Sequence, residues 1–364
     1  MRRLKAVPLP KADQSLQDLA EVVSEAYVAG KPLRISGGGT KTFYGREGGS
    51  GEVLDVRPHK GIISYEPSEL VITARAGTPL NEIEEALAEG GQMLAFEPPH
   101  FGEGATLGGT VACALSGPRR PYAGPLRDFV LGIRCLTGTG KATHFGGQVM
   151  KNVAGYDVSR LFAGALGTLG VLLEVSLKVV PTPKVERTLR CQASMKEAIT
   201  WMNRWAGEAL PLSGAACDGT HLTIRLSGNA SAVESAHQRL GLPEMPDSGG
   251  YWQALRELAL PFFADDAPLW RLSVPPATSP LDLPGRWLLD WGGAQRWLVT
   301  SAPAESVRTL AHKVGGHATL FRGGDRAGEV FQPLAPPLAV LHRRLKTAFD
   351  PRGILNPGRM YRDM

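Results

Sequence analysis

The sequence predicts a two-domain α/β fold, and three observations carry that prediction. Helix-spaced and strand-like apolar patterns alternate through roughly the first half of the chain. Two prolines within three residues, Pro181-Thr182-Pro183, end one such strand and favour an extended linker. Beyond them strands and helices alternate again, which sets a second α/β layer beside the first. The length of 364 residues suits about two to three domains at ~100–200 residues each.

Residues 15–30 place Leu16, Leu19, Val22 and Val23 on one helical face, with Gly30 as the stop. Residues 31–36 read as a short strand running into Gly37-Gly38-Gly39, and further short strands are expected at 53–57, 62–65 and 70–75. A helix follows with Thr78 as N-cap and Pro79 in its first turn; Leu80, Ile83 and Leu87 share a buried face and Gly90-Gly91 ends it. Residues 100–125 are glycine-rich with little periodicity, and a loop of that length inside a domain usually has a function or a ligand that holds it. Residues 129–137 and 141–145 make a hairpin through Gly138-Thr139-Gly140, and an apolar strand runs from Val171 to Val180. Past the prolines, strands and helices alternate over 184–191, 194–206, 221–227 and 230–240. Gly and Pro enrichment around 241–250 and 275–285 marks loops, and a last helix covers 337–349.

Composition narrows the function classes. Forty basic against thirty-five acidic residues leave a formal charge of +5, with no Lys/Arg tract of five or more and no aromatics interleaved with basic residues. A nucleic-acid partner is therefore not expected. Cys113, Cys135, Cys191 and Cys217 form no C-x-x-C pair, which argues against a zinc or iron–sulfur site, and no metal is expected. The start Met1-Arg2-Arg3-Leu4-Lys5 lacks an apolar stretch behind it, and the longest mainly apolar run, 161–173, falls short of the ~20 residues a spanning helix needs. A soluble, cytoplasmic protein without a transmembrane segment is expected.

Three glycine-rich segments stand next to predicted strands. In Ser36-Gly37-Gly38-Gly39-Thr40-Lys41, consecutive glycines let several backbone N–H groups face one concavity, which suits a pyrophosphate. It is no dinucleotide fingerprint of the G-x-G-x-x-G type, because Thr42 stands where the third glycine belongs. In residues 104–117, Gly104, Ala105, Thr106, Gly108 and Gly109 would let main chain lie against a flat ring, with Thr106 and Ser116 offering hydroxyls beside Gly117. The third segment spaces Gly164, Gly167 and Gly170 three apart before Val171. Each alone reads equally as a packing loop; three in succession point to a dinucleotide.

This succession resembles the FAD-binding domain shared by vanillyl-alcohol oxidase, p-cresol methylhydroxylase and D-2-hydroxyacid dehydrogenases. The residues that carry the resemblance are Lys151-Asn152-Val153-Ala154-Gly155-Tyr156-Asp157 with Gly167-Thr168-Leu169-Gly170, and the closing Asp350-Pro351-Arg352-Gly353-Ile354-Leu355-Asn356-Pro357-Gly358. Segments 113–121, 146–152, 315–319 and 356–361 are further similar to the smaller FAD-binding subunit of bacterial glycolate oxidase. That resemblance implies FAD as cofactor, held by Ser36 to Lys41, the segment 104–117, Tyr122, and Gly167, Gly170 and Val171. It implies non-covalent FAD, since Gly39 and Thr40 stand where relatives commonly carry an attachment histidine. It also implies a place in a cytoplasmic complex with a larger flavin subunit and an iron–sulfur subunit, one that can sit peripherally on the inner membrane, with a small 2-hydroxy acid as substrate. The alternatives are a self-sufficient D-2-hydroxyacid dehydrogenase and a flavin-retaining structural subunit.

Oxidation of a 2-hydroxy acid needs a cation for the carboxylate and a base for the hydroxyl proton. Arg322 and Arg359, then Arg119 and Arg120, are the candidate cations; His317, then His100, the candidate bases. Tyr361 is a further hydrogen-bond donor. The expected division is a FAD domain at 1–182, a smaller α/β cap at 183–335 and a tail at 336–364 that returns to the FAD domain.

Overall fold

The computed structural model describes residues 14–47, 51–147, 157–246 and 248–364. The start of the chain and all of 148–156, with most of the Lys151–Asp157 motif, lie outside the described residues.

The helix Gln14–Ala29 turns Leu19, Val23 and Ala26 inward. They pack on Leu33 and Leu54, which belong to the parallel strand pair Leu33–Ser36 and Glu52–Asp55. A five-stranded antiparallel sheet follows, in spatial order Ile62–Glu66, Val71–Arg75, Val171–Lys178, Val130–Leu136 and Ala142–Gly146. In its central strand Val171, Leu172, Leu173, Val175 and Leu177 are buried, while Glu174 and Ser176 pair with Arg134 and Thr73 of the flanking strands. Val171 and Leu173 join the cluster under the first helix, while Val175 and Leu177 join the cluster under Leu80, Ile83 and Leu87.

Two local readings change. The helix Leu80–Glu89 has Pro79, not Thr78, at its N-cap. The Thr78 hydroxyl is instead used by the neighbouring turn, accepting from the Gly61 N–H at 2.9 Å and donating to the Arg75 carbonyl at 2.7 Å. The segment 100–125 is not all loop, for it contains the helix Leu107–Cys113 with Thr106 as its N-cap. Gly108-Gly109 conceal that helix from sequence reasoning, since glycine is a poor helix former. A side chain at 108 would meet the Ala76 Cβ at 2.8 Å.

The second sheet has seven strands in the order Val185–Gln192, His221–Gly228, Leu212–Cys217, Arg286–Asp290, Gln295–Val299, Leu269–Ser273 and His317–Arg322, all antiparallel. Helix Met195–Ala206 opens with a capping box between Ser194 and Glu197, and with helix Ala230–Leu240 it covers part of this sheet. Helix Ala304–Lys313 covers the strands at the other end. The opposite side carries Trp297, Phe321 and Phe263, which pack against Tyr44, Leu115 and Leu166 of the first half. That contact brings the second sheet over the glycine segments.

The chain end closes on the first half. Helix Pro336–Phe349 presents Lys346 inward, where its Nζ donates to Asp350 and to the Thr168 and Leu355 carbonyls, each at 2.7–2.8 Å. Asp350 in turn accepts the N–H groups of Ile354 and Leu355. The segment that follows pairs with Leu33, whose N–H and carbonyl bond Ile354 and Asn356. Among the described residues no helix is long and apolar enough to cross a membrane.

Candidate functional site

The three glycine segments, far apart in the chain, meet around one cleft of about 900 Å³. Ser36 ends its strand and Gly37 to Thr40 turn across the cleft floor. A Cβ on Gly37 would lie 2.4 Å from the Thr106 hydroxyl oxygen, and one on Gly38 would lie 1.3 Å from the Gly104 carbonyl oxygen. The first two segments thus run backbone against backbone, at a separation only glycine permits. Thr106 caps the helix Leu107–Cys113 by accepting from the Gly109 N–H, and the Gly108 N–H donates to Ala76 at 2.7 Å.

The third segment enters through the chain end. Asn356 accepts from the Ile35 N–H at 2.8 Å and donates to the Leu166 carbonyl at 2.7 Å, so one amide joins the first strand, the third glycine segment and the tail. A methyl on Gly167 would collide with that amide at 2.6 Å. Apolar side chains, among them Val56, Phe162, Leu166 and Leu172, complete the wall. Amide-lined floor and apolar wall are the two environments a diphosphate and a flat ring system require.

Two cations border this cleft. Lys41 is buried, and its Nζ donates to the His100 carbonyl at 3.1 Å; burial lowers its pKa. Arg359 donates to the carbonyls of Arg46, Thr42 and Tyr44, and burial lowers it as well. Cys113 also faces the cleft, with its thiol pushed up to about 11 by burial.

Of the residues expected from sequence to hold a cofactor, Ser36, Gly37, Gly38, Gly39, Thr40, Lys41, Thr106, Gly108, Gly109, Gly167 and Gly170 line the cleft. Gly104 and Ala105 stand one layer behind, Gly104 against Gly38 and Ala105 accepting from Leu80. Val171 is fully buried under the first helix. Tyr122 packs with the second sheet's cluster, where burial raises its phenol. Ser116 and Gly117 line a separate cavity of about 320 Å³ between the second sheet and the first half. Sequence reasoning passed over Cys113, Tyr44 and Asn356 as lining residues. Asn356 stood in a quoted motif, but its role comes from contacts across 321 and 190 positions.

The candidate catalytic groups are scattered. Arg359 is the one of the three first choices at the cleft. Arg322 donates to the Phe263 carbonyl, and His317 lies at the exposed start of an edge strand. The His100 ring meets Glu84 at 2.9 Å, Arg119 is held by Glu97 and Glu186, Arg120 stacks 4.3 Å over Trp291, and Tyr361 donates to Gln332.

The smaller cavity holds a group that sequence did not single out. Asp290 is 3% exposed and accepts from the Trp291 N–H and the Gln295 side chain; burial pushes its pKa up to about 7. The folded chain thus holds a proton there that an ordinary aspartate has released, so folding takes up a proton between about pH 4 and 7. Wild type should lose stability relative to Asp290→Asn as pH rises across that window, by up to ~4 kcal/mol, with no further change above it. Denaturant midpoints of both proteins at pH 4.5, 6 and 8 test this. A constant difference would mean that the carboxyl is not raised.

The fold and the cleft define an FAD-binding protein. A family described as "FAD binding domain" matches residues 12–146. Two solved structures of an alkyldihydroxyacetonephosphate synthase share the fold at a TM-score of 0.66, covering 94% of this chain and 74% and 75% of theirs at 16% and 15% identity. Over 348 residues, 96% of this chain and 98% of the relative, the sequence is 50% identical to glycolate oxidase subunit GlcE of Escherichia coli (strain K12). The chain belongs to that family and is an FAD-dependent oxidoreductase subunit of the p-cresol-methylhydroxylase-type fold. A D-lactate dehydrogenase of Archaeoglobus fulgidus is 26% identical over 96% of this chain and 90% of its own length. Glycolate oxidase subunit GlcD of Bacillus subtilis (strain 168) is 30% identical over 50% of this chain and 38% of its own. The residues present fit FAD, because main chain of Gly37 to Thr40 lines the cleft floor, packed on Thr106 and Gly104 too closely for a side chain at 37 or 38, under an apolar wall.

Proposed function

We propose that this chain holds FAD non-covalently in the glycine-lined cleft and, within an assembly, takes part in oxidising glycolate or a similar small 2-hydroxy acid to the 2-oxo acid. The observation that carries the reading is the convergence of the three glycine segments and Asn356 on one cleft, in a chain 50% identical to a glycolate oxidase subunit. FAD, when bound, supplies an acceptor for a hydride equivalent. The chain's own contribution is to bind and orient. Backbone N–H groups of 37–40 hold the diphosphate, while Phe162, Leu166 and Leu172 exclude water from the ring. Lys41 and Arg359, fixed by backbone carbonyls, keep positive charge at the rim.

On this reading residues 1–182 and the tail 336–364 form the FAD domain and 183–335 the cap. The partners are a larger flavin subunit and an iron–sulfur subunit, which receives the electrons, in a cytoplasmic complex that can sit peripherally on the inner membrane. The Bacillus relative named GlcD supports the larger partner, and the scattered cysteines here leave an iron–sulfur cluster to another chain. Acid precipitation of the purified protein should release all of its yellow colour to the supernatant. Colour retained in the pellet would overturn the non-covalent hold, and a colourless protein that takes up no FAD would overturn the site. The assembled complex should reduce a dye with glycolate.

A further inference from the structure

The 320 Å³ cavity lies beside the FAD cleft, with Tyr44 of the cleft wall in contact with Arg271 of the cavity wall. It is too small for a nucleotide, and its walls are mixed: Trp297, Phe321 and Leu115 are apolar, while Arg271, Asp290 and Gln295 are polar. Two arginines line it. Arg256 is paired with Glu257 at 2.8 Å. Arg271 has one hydrogen bond, to the Tyr44 hydroxyl at 3.1 Å, and among the described residues no ion-pair partner. Its guanidinium lies 5.7 and 5.5 Å from the Tyr44 and Phe321 ring centroids, which fixes the plane and leaves donors of the fork for an anion.

Of the other arginines near this junction, Arg120 feels the charge of Arg271 and stacks over Trp291, and the rest are held by acceptors. Arg119 and Arg225 are held by Glu97, Arg359 by three carbonyls, and Arg322 by Phe263. A guanidinium stacked in place, facing a small cavity and, among the described residues, without a carboxylate partner, is the arrangement that recognises a carboxylate ligand. Asp290 and Gln295, joined at 3.0 Å, line the same space and offer acceptors to a hydroxyl.

We infer that this cavity holds the small 2-hydroxy carboxylate, its carboxylate on Arg271 and its hydroxyl toward Asp290 and Gln295. The inference rests on the functional reading above and replaces Arg322 and His317 as the groups nearest substrate. Its logic is charge and lining: one arginine paired with Glu257 and one with no ion-pair partner among the described residues, one pair of acceptors and apolar walls suit a small hydroxy acid. The charged and titratable groups around Asp290 are Glu97 and Arg225, with Tyr122 and Tyr251 sensing its charge and Arg256 and Arg271 lining the same cavity. Of the two lining arginines, Arg271 is the one without an ion-pair partner among the described residues. Burial already favours the protonated form of Asp290, so near neutral pH the carboxyl is poised to exchange a proton with a hydroxyl.

The test uses 2-hydroxyisobutyrate, which keeps the carboxylate and hydroxyl but has no hydrogen on the carbinol carbon and so cannot be oxidised there. Isobutyrate, lacking the hydroxyl, is the comparison. Binding to the FAD-loaded protein is read by calorimetry and by tryptophan fluorescence, since Trp297 lines the cavity. Arg271→Met should weaken both ligands at least tenfold, and Arg271→Lys should recover part of the loss. Asp290→Asn should weaken 2-hydroxyisobutyrate more than isobutyrate. Arg204→Ala, on an exposed helix face, should match wild type. Should Arg271→Met not fold, Arg271→Gln is read in its place. Unchanged affinity in a folded Arg271 variant, or no binding by wild type, overturns the inference. If the complex oxidises glycolate with a normal KM after Arg271→Met, this site fails while the functional reading stands. If the anion binds through Arg271 but the complex never turns over glycolate, the reading fails while the site stands.

Discussion

Gly38→Ala is expected to yield a folded protein that purifies with little or no FAD. The added methyl would lie 1.3 Å from the Gly104 carbonyl oxygen, 2.4 Å from its carbon and 3.2 Å from its Cα. All three are backbone atoms, so no side chain can swing aside. One of the two segments must move by more than an ångström, and close-packed interiors do not absorb such a shift locally. The amides of 37–40 would then no longer converge. A loss of at least ~100-fold in FAD affinity, about 2.7 kcal/mol, is expected. Titration of FAD into the apoprotein, followed by flavin fluorescence, measures it. Gly250→Ala, where nothing lies within 4 Å, is the control and should retain full flavin. Wild-type FAD affinity in Gly38→Ala would show that the floor of the cleft does not hold the diphosphate.

Glu97→Ala should be the most destabilising single change at the junction of the two sheets. Glu97 accepts from Arg225 at 2.7 Å and from the Arg119 backbone and side chain at 2.9 and 3.2 Å. Arg119 reaches on to Glu186, which also accepts from Ser227 at 2.6 Å. The Arg225 and Glu97 side chains are 6% and 12% exposed, so water does little to screen them. Removing the carboxylate leaves the Arg225 guanidinium buried with only Ser213 to receive its protons. Breaking a buried pair in this way costs about 3–5 kcal/mol. Glu97→Gln, which keeps the acceptor oxygen, should lose less. Denaturant unfolding reports both, and a loss below ~1 kcal/mol in Glu97→Ala would place the junction's stability in its apolar contacts.

Local pattern made much of this protein legible. Helix-spaced Leu80, Ile83 and Leu87 all came out buried, and the strands expected at 62–65, 70–75 and 129–137 form within one or two residues of those bounds. The glycine segments were equally plain, because runs such as Gly37-Gly38-Gly39 have few local explanations. The helix Leu107–Cys113 was not, since its Gly108 answers to Ala76, a residue on a distant stretch of the chain. Strands Leu269–Ser273, Arg286–Asp290 and Gln295–Val299 were not singled out either. Arg271, Arg286 and Arg296 interrupt their apolar pattern, and Arg296 is buried by donating to the carbonyls of Gly293, Thr278 and Ser279.

The residues proposed to touch a ligand divide the same way. Sequence alone marked three glycine-rich segments beside strands, because the freedom of a glycine backbone belongs to each segment and needs no neighbour. Only the tertiary structure decided which cations stand free. Arg119, Arg322 and Arg359 look alike as letters, yet each is already occupied by a carboxylate or by carbonyls, whereas Arg271 lies against two rings, bonds the Tyr44 hydroxyl and has no ion-pair partner among the described residues. A guanidinium's availability depends on every acceptor within reach, and those acceptors come from distant parts of the chain.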